Sequence, residues 1–425
     1  MRIAMVSAHT SPLAPLGGRE TGGMNVYVLE LSRELGRIGF EVDIFTRLDG
    51  ALPPIEDVAP NVRLVRIEAG PAAPIEKETI VDHLPEFATN MRRFAAVQRA
   101  PYGVVHSHYW QSGWAGGILA RASDVPHVVM FHTLGEVKNR ARISEHEPVQ
   151  RIHHERNVVR RADAIVTASD HERVFLERYY GADPGQVHTI PCGIDLDLFY
   201  PRDRAMARER LGLDPAAPVL LWVGRLEKLK GVDILVSAAA QLAERDFTLL
   251  IVGGDDRAHV LRGELEAQAL AEGVAANVRF DGAVSHDSLP LYYSAADVVV
   301  VPSYYESFGL VAVEAMACGT PVVASRVGGL QSTVADGVTG YLIPWRCPEP
   351  FSEKLEVLLN NPELRTNFGI AARRSVERYR WSRIGAEMAA FYSHVYADHW
   401  HGRANEGISG LSREAFEAAV VAAAR

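Results

Sequence analysis

The chain is poor in cysteine, with only three in 425 residues. Cys192, Cys318 and Cys347 form no Cys-x-x-Cys pair, and an odd number of thiols cannot all pair within one chain. This usage argues against a disulfide-stabilised secreted protein and favours the reducing cytoplasm.

Long hydrophobic runs are also missing. No apolar stretch approaches the roughly 18–20 residues that a membrane-spanning helix needs. Residues 1–7 form a short apolar run before a polar, glycine-rich segment, without a long hydrophobic core or a cleavage site. We therefore expect a buried first strand in place of a signal peptide, and no stable insertion into a membrane.

An excess of positive charge is the third absence. The net charge is −9 and no basic cluster dominates, which argues against nucleic acid as a partner. The charged fraction of 23% and the hydrophobic fraction of 48% are typical of a globular protein. A chain of 425 residues is too long for one ordinary core, so two domains are expected.

Short runs of β-branched residues alternate with helical patterns through most of the chain. This alternation predicts an α/β fold with parallel sheets built from βαβ units. The predicted strands are Arg2–Ser7, Glu41–Thr46, Val62–Ile67, Gly103–His108, Val125–Phe131, Ala164–Ala168, Val187–Ile190, Val219–Val223, Phe247–Val252, Val278–Phe280, Asp297–Val301, Pro321–Ala324 and Gly340–Ile343.

A proline-rich break near Pro191–Pro218 divides this pattern into two Rossmann-like halves. The predicted organisation is a first domain over 1–200, a second over 201–378, a helix over 379–400 that crosses back to the first domain, and a tail over 401–425. Ligands of open parallel sheets bind beyond the carboxyl ends of the strands. Two such domains facing each other would therefore form a binding cleft between them.

The segment Ser303–Glu314 carries the strongest functional signal. Glu306 lies in a loop, and a Phe-Gly turn then leads into a helix that contains Glu314. At about 1.5 Å per residue the two acids lie on the order of 12 Å apart, too far for the roughly 5–9.5 Å of a catalytic carboxylate pair. The spacing favours two ends of one long ligand, with the free N–H groups of Phe308, Gly309 and Leu310 between them.

Two further segments predict anion binding at helix N-termini. Gly22 and Gly23 precede a helix in the first half, where they would allow a ligand close to the backbone. Arg225 and Lys230 bracket a loop between a strand and a helix in the second half, a cationic cradle suited to a diphosphate. Neither segment has the spacing of a dinucleotide or ATP motif.

Two apparent metal motifs are interpreted differently. His106 and His108 end a strand and have no third ligand at suitable spacing. Asp195 and Asp197 lie in the linker, where we interpret them as a turn and a capping element. No metal site and no cofactor are predicted.

Four groups of residues together resemble the motifs of one enzyme family. They are Gly22-Gly23, His132, Arg225 with Lys230, and Glu306 with Glu314. They are similar to the retaining GT-B glycosyltransferases of the glycosyl-group-1, sucrose synthase-like family. The resemblance extends over nearly the whole chain, to the helix after Trp381. Within the family, the segments around His106 and His132 look like those of the inositol-phosphate glycosyltransferases of the mycothiol pathway.

The resemblance implies a GT-B fold and a role for each matching residue. Arg225 and Lys230 would hold the donor diphosphate, Glu314 the ribose, and Glu306 the sugar hydroxyls. His132 would contact the transferred sugar near its reacting carbon. The implied catalytic residues are His132, Arg225, Lys230 and Glu306. The implied donor-binding residues are Gly22, Gly23, Arg225, Lys230, Glu306, Phe308, Gly309, Leu310 and Glu314. The implied acceptor-binding residues are Asn25, Lys77, Tyr109, Thr133 and Arg151.

The implied reaction is transfer of a hexosyl unit from a nucleotide sugar, expected to be UDP-linked, to a small phosphorylated acceptor. The alternatives left open are another acceptor, as in sucrose-phosphate synthase, a nucleotide-sugar 2-epimerase, and a binding protein without turnover. The resemblance leaves a homodimer open as well.

Overall fold

The computed structural model describes residues 1–14, 22–141, 146–242, 246–254, 258–344 and 346–405. It contains two sheets, each covered by helices on both faces. The strands are β1 (Arg2–Val6), β2 (Glu41–Arg47), β3 (Ile55–Ala59), β4 (Val62–Ile67), β5 (Val104–His108), β6 (His127–Met130), β7 (Ala164–Thr167), β8 (Val187–Thr189), β9 (Val219–Val223), β10 (Thr248–Val252), β11 (Val278–Gly282), β12 (Val298–Val301), β13 (Val322–Ser325) and β14 (Gly340–Ile343).

Helices fill most of the connections between these strands. They are α1 (Gly23–Arg37), α2 (Ile80–Ala96), α3 (Tyr109–Ser123), α4 (Gly135–Arg140), α5 (Val149–Val159), α6 (Asp170–Phe175), α7 (Arg204–Arg210), α8 (Val232–Ala240), α9 (His259–Ala271), α10 (Leu289–Ala295), α11 (Leu310–Ala317), α12 (Leu330–Thr333), α13 (Pro348–Asn360), α14 (Pro362–Ser375) and α15 (Trp381–Asn405). Within the described residues, no helix is both long and apolar enough to cross a bilayer.

Both sheets have the strand order of a doubly wound fold. The first runs β3-β4-β2-β1-β5-β6-β7-β8 and the second β11-β10-β9-β12-β13-β14. Every pair is parallel except β3 with β4. The order reverses direction between β1 and β5 and again between β9 and β12, which creates a switch point in each sheet. The predicted α/β class and its two Rossmann-like units are confirmed.

The central strands are buried on both faces, as helix-covered parallel sheets require. In β12 all four consecutive valines, Val298–Val301, are buried. Such continuous apolar runs are why the parallel strands could be recognised in the sequence.

The edge strand β3 was not predicted. Its sequence, Ile55–Ala59, contains Glu56 and Asp57, follows two prolines, and is at most half-buried. Short, charged strands are typical of sheet edges, where they discourage pairing with another chain. The same features hide such a strand from a search for apolar runs.

The last helix, α15, packs against α1 at the first sheet. Trp381 meets Tyr27 edge-on with ring centroids 5.8 Å apart, and the Tyr392 hydroxyl lies 2.6 Å from His106 Nδ1. A Cβ on Gly385 would lie 2.3 Å from Glu34 Cγ, so the two helices touch closely. The boundaries at 200, 378 and 400 stay a prediction, and the expected features of the tail beyond 405 lie outside the described residues.

Candidate functional site

Most of the predicted site residues gather at the two switch points. In the first domain they follow β5 and β6 and occupy the start of α1, with Lys77 in the segment before α2 and Arg151 on α5. In the second they follow β9 and β12 and occupy the start of α11. Since the carboxyl ends of parallel strands meet at one edge, residues distant in sequence come together there.

The two edges face each other closely. A Cβ built on Gly22 would lie 3.8 Å from Arg225 Nε, and one on Gly23 would lie 2.7 Å from Leu310 Cδ1. The Ser169 hydroxyl donates a hydrogen bond of 3.0 Å to the carbonyl of Ser307. Residues of both halves therefore line one cleft, and a side chain at Gly23 would require Leu310 to move.

Arg225 and Lys230 are the two cations of the second domain at this cleft. Lys230 Nζ donates to Glu306 Oε2 at 2.7 Å, and Arg225 pairs with Glu227 at 2.8 Å. Gly231 follows with φ 65°, and a Cβ there would lie 2.1 Å from the carbonyl oxygen of Pro302. Only glycine fits this turn, which carries Lys230 up against the Glu306 loop.

The loop that carries Glu306 packs closely against the backbone of Gly328 and Gly329. The N–H of Gly329 donates to the Glu306 carbonyl at 2.9 Å, and a Cβ on Gly328 would lie 1.8 Å from the same oxygen. Gly309, with φ 94°, caps α11. Phe308 is buried against Tyr379 with ring centroids 5.3 Å apart. These contacts fix the Glu306 loop and the start of α11 relative to each other, and the predicted role of the Phe308, Gly309 and Leu310 N–H groups stays a prediction.

Glu314 lies one turn into α11 and is largely buried. Its Oε2 accepts from the Tyr293 hydroxyl at 2.6 Å, and its Oε1 lies 3.3 Å from His286 Nε2. Burial alone would lower the pKa of His286, but the hydrogen bond and charge of Glu314, with the charges of Asp287 and Glu30, raise it above its ordinary value. Because Glu30 belongs to α1, its charge interaction with His286 joins the two domains across the cleft.

His132 follows β6 in a strained conformation, with φ 59°. Its Nε2 lies 2.9 Å from His108 Nδ1, and its ring meets Tyr27 edge-on at 5.3 Å. Burial lowers the pKa of His132 to about 3, so the ring is neutral near pH 7. Left-handed backbone at such a residue costs about 1–3 kcal/mol and persists only where the surroundings enforce it.

Tyr109 forms a platform on the first-domain side and is also left-handed, with φ 75°. Lys77 Nζ lies 4.3 Å and Arg151 Cζ 4.9 Å from the centroid of its ring. The His9 ring lies 4.7 Å away, and its buried Nδ1 has no hydrogen-bond partner. Two cations and a buried, unpartnered nitrogen thus surround one aromatic ring.

Arg151 is held by a network of acids and Thr133. It donates to Glu155 at 2.7 Å and to both oxygens of Thr133 at 3.1 Å, and it pairs with Glu147 at 2.7 Å. Burial would raise the pKa of Glu147, but Arg151 and Lys138 lower it below its ordinary value. This network fixes the guanidinium of Arg151 beside Thr133.

Asn25 supports a loop in this structure. Its amide donates to Thr10 at 2.9 Å and to the Ser11 carbonyl at 2.8 Å, and its Oδ1 accepts from the Gly22 N–H at 3.0 Å. The side chain therefore ties the segment just after β1 to the start of α1. Its predicted contact with the acceptor stays a prediction.

The two apparent metal motifs have other partners. His106 pairs with Tyr392, and His108 contacts Met5 and His132. Asp195 accepts from the N–H groups of Asp197 and Leu198 at 2.9 and 3.0 Å, which confirms the predicted turn. The part of the chain that the structure describes holds no group of three or more His, Cys, Asp or Glu residues suited to a metal ion.

Four residues at the cleft had no role assigned from the sequence. They are His9, His108, Glu155 and Ser169. His108 was weighed only as a metal ligand, and Glu155 is recognisable only as the i+4 partner of Arg151 on α5. Ser169 could have been found, since Ser169-Asp-His-Glu172 has the spacing of a capping box.

Comparison with known proteins agrees with this architecture. Residues 21–198 match the model of Glycosyltransferase Family 4, and residues 203–375 match that of Glycosyl transferases group 1. The chain is 43% identical over 408 residues to D-inositol 3-phosphate glycosyltransferase 2 of Catenulispora acidiphila, covering 93% of this chain and 96% of that protein.

Two solved structures have the same fold. Sucrose-phosphate synthase from Thermosynechococcus elongatus has a TM-score of 0.87 at 36% identity, covering 93% of this chain and 99% of the other. HepE of Anabaena, in complex with UDP and glucose, has a TM-score of 0.75 at 20% identity, covering 93% of this chain and 100% of the other. With its two facing Rossmann-like domains, the chain belongs to the group 1 glycosyltransferases of the GT-B fold.

Proposed function

We propose that this protein is a retaining glycosyltransferase that moves a hexosyl unit from a UDP-sugar to a small phosphorylated acceptor, forming an α linkage. Family membership supports the transfer of a sugar. Relatives named D-inositol 3-phosphate glycosyltransferase support a phosphorylated acceptor.

The observation that carries the proposal is a separate set of cations on each side of the cleft. Arg225 and Lys230 lie in the loop between β9 and α8, where the second domain would hold a diphosphate. Lys77 and Arg151 flank Tyr109 in the first domain. Phosphates are bound by such cations through charge-assisted hydrogen bonds. The arrangement suits two anionic substrates held face to face.

The chemistry follows from charge development. As the bond between the sugar carbon and the diphosphate breaks, negative charge grows on the departing oxygen. Arg225, Lys230 and the N–H groups at the start of α11 stabilise that charge, so the proposed transfer step needs no metal. The acceptor hydroxyl attacks on the face that the diphosphate leaves, its proton passes to a departing phosphate oxygen, and the sugar keeps its configuration.

A second acceptor class is favoured by one finding. The relative with a TM-score of 0.87 is a sucrose-phosphate synthase, so transfer to a sugar phosphate is the alternative to transfer to inositol phosphate. Both acceptors would use the same phosphate-binding group around Tyr109, and they would differ only in the ring that presents the hydroxyl.

The test is a screen of donors and acceptors with the full chain. Thermal shift with UDP-, GDP- and ADP-sugars identifies the donor, because a ligand that binds only the folded state raises the melting temperature. Each donor is then incubated with inositol phosphate, fructose 6-phosphate, 3-phosphoglycerate, or the dephosphorylated forms, and products are identified by mass spectrometry and anomeric NMR.

The expected result is stabilisation by a UDP-sugar and an α-linked product with a phosphorylated acceptor only. An inverted product would overturn the retaining mechanism. Equal turnover of dephosphorylated acceptors would overturn the phosphate requirement. Turnover of the donor alone to an epimer would identify a 2-epimerase instead.

A further inference from the structure

The contact between His108 and His132 has a consequence for the proton on each ring. His108 ends β5 and is fully buried. Its Nδ1 lies 2.9 Å from His132 Nε2, and its Nε2 lies 2.8 Å from Met5 Sδ. Both ring nitrogens of His108 therefore have a partner. Nδ1 faces the imidazole of His132, which can donate or accept, and Nε2 faces the thioether of Met5.

The thioether decides which nitrogen of His108 carries the proton. A thioether sulfur has no hydrogen and acts only as a weak acceptor. The nitrogen that faces Met5 must therefore be the N–H, since a bare nitrogen there would set one lone pair against another. A neutral His108 then has a bare Nδ1, which can only accept from His132.

His132 must accordingly donate from Nε2 and keep Nδ1 bare. Burial lowers the pKa values of both His108 and His132 well below the ordinary value, so neither ring holds a second proton near pH 7. A chain of two hydrogen bonds, from His132 to His108 to Met5, thus sets one tautomer at the residue placed nearest the reaction.

We propose that His108 is a positioning residue that holds His132 in its Nε2–H tautomer, so that Nδ1 of His132 accepts a hydrogen bond from a hydroxyl of the transferred sugar. This inference rests on the proposed function for the sugar contact, whereas the tautomer itself rests only on the geometry. An unprotonated ring nitrogen accepts a hydrogen bond from a hydroxyl, whereas its lone pair repels a carboxylate. The site is thus suited to neutral hexoses and unsuited to uronic acids.

The test uses a matched pair of variants at one position. In His108→Asn the amide oxygen takes the place of Nδ1 as an acceptor, whereas His108→Leu removes the acceptor and keeps similar bulk. His127→Gln is the control, because His127 is a buried histidine that pairs with Ser107 away from the cleft. Circular dichroism and thermal unfolding check that each variant folds.

Two readouts distinguish positioning from a merely structural role. Long-range nitrogen NMR of the imidazoles reports which nitrogen of His132 is protonated, and it does so without any substrate. Steady-state kinetics with the donor of the wild-type enzyme separates kcat from KM. One lost hydrogen bond is typically worth up to about tenfold in rate.

We expect wild-type His132 to be protonated at Nε2, and His108→Asn to keep this tautomer and kcat within about threefold. His108→Leu should lose the single tautomer and lower kcat about tenfold at nearly unchanged KM for the donor. Protonation of His132 at Nδ1, or equal kcat values for the two variants, would overturn the inference. A protein without transferase activity would fail the kinetic arm alone, so that outcome contradicts the proposed function and not the tautomer.

Discussion

The pKa values of histidines shift in opposite directions in the two domains. In the first domain, His106, His108 and His127 are buried, His9 and His132 are partly buried, and the pKa values of all five are lowered. In the second, His286 has a raised pKa because Glu314, Asp287 and Glu30 outweigh its burial. The first domain thus sets neutral imidazoles beside the cations Lys77 and Arg151, whereas His286 of the second domain belongs to a charged pair with Glu314.

This difference fits the two tasks proposed for the cleft. A diphosphate that leaves with growing negative charge needs fixed cations, which the second domain supplies through Arg225 and Lys230. Selecting a sugar hydroxyl needs a neutral group with a defined donor or acceptor, the role that we propose for His132. The burial that keeps His132 neutral also makes the first domain sensitive to acid.

Acid should therefore unfold the first domain before the second, which is the largest effect we expect. A buried histidine with a lowered pKa binds its proton only after unfolding, so stability is lost as the pH falls from about 6.5 towards 3. Each such group contributes about 1.4 kcal/mol per pH unit in that window. His286 has the opposite sign, since its stabilisation is fully present below about 6.5 and is lost as the pH rises through its folded value.

Limited proteolysis with mass spectrometry across this pH range would locate the first cuts. His127→Gln should make the pH dependence shallower, because one of the lowered pKa values is gone. First cuts within 203–375 would contradict this account of the two domains.

Removing the amine of Lys230 should have the next largest effect. Lys230→Ala is expected to lower kcat by about 10²–10³, as does loss of other preorganised charge stabilisers. Lys228→Ala is the matched control, since Lys228 lies in the same turn with an exposed side chain. Near-full turnover in steady-state assays of purified Lys230→Ala would rule out its proposed role at the diphosphate.

Glu172 adds a second pH sensitivity to the first domain. Burial raises its pKa to about 7, and one carboxylate oxygen has no hydrogen-bond partner. For an acid with a raised pKa, the cost to stability is absent below about 4.5 and grows until the pH passes 7. Glu172→Gln, which resembles the protonated acid, should raise the free energy of unfolding by about 3 kcal/mol near pH 8 and hardly at all near pH 4.

Urea unfolding at both pH values measures this effect. Glu177→Gln serves as the control, because Glu177 is a partly exposed partner of Arg173 in the next turn. An equal gain for Glu172→Gln at both pH values would mean that burial of the charge is not the cause.

The smallest effect that we expect comes from removing the charge of Lys77, which lies beside Tyr109. Lys77→Met keeps the length of the side chain and removes its charge, so it should weaken binding of a phosphorylated acceptor. The expected rise in KM is about 10- to 100-fold, the worth of one charge-assisted hydrogen bond. The same measurement with the dephosphorylated acceptor is the internal control, and an equal rise for both acceptors would show that Lys77 does not contact the phosphate.

The success of the sequence analysis differs between the two domains for a physical reason. Arg225 with Lys230 and Glu306 with Glu314 each lie within a single strand-loop-helix unit, so their spacing along the chain already reflects their spacing in space. Strands such as Val298–Val301 were equally recognisable, because burial on both faces leaves an uninterrupted apolar run. The charged edge strand β3 had no such signal.

The network of the first domain had little local signal. His9, His108 and His132 follow or end three different strands and meet only because β1, β5 and β6 are neighbours in the sheet. The acids around Arg151 were equally unassigned, although Glu155 lies on the same helix. A role for His108 beyond metal binding required its contact with Met5, 103 residues away.

The sequence by itself determined the α/β class and the two halves, and it located the segments that we propose bind anions, because these depend on periodicity and short spacing. Only the tertiary structure decided how the halves meet, through Gly22 at Arg225 and Ser169 at Ser307. It also decided which histidines are neutral, because burial and neighbouring charges set a pKa and both arise from contacts between residues far apart in the chain.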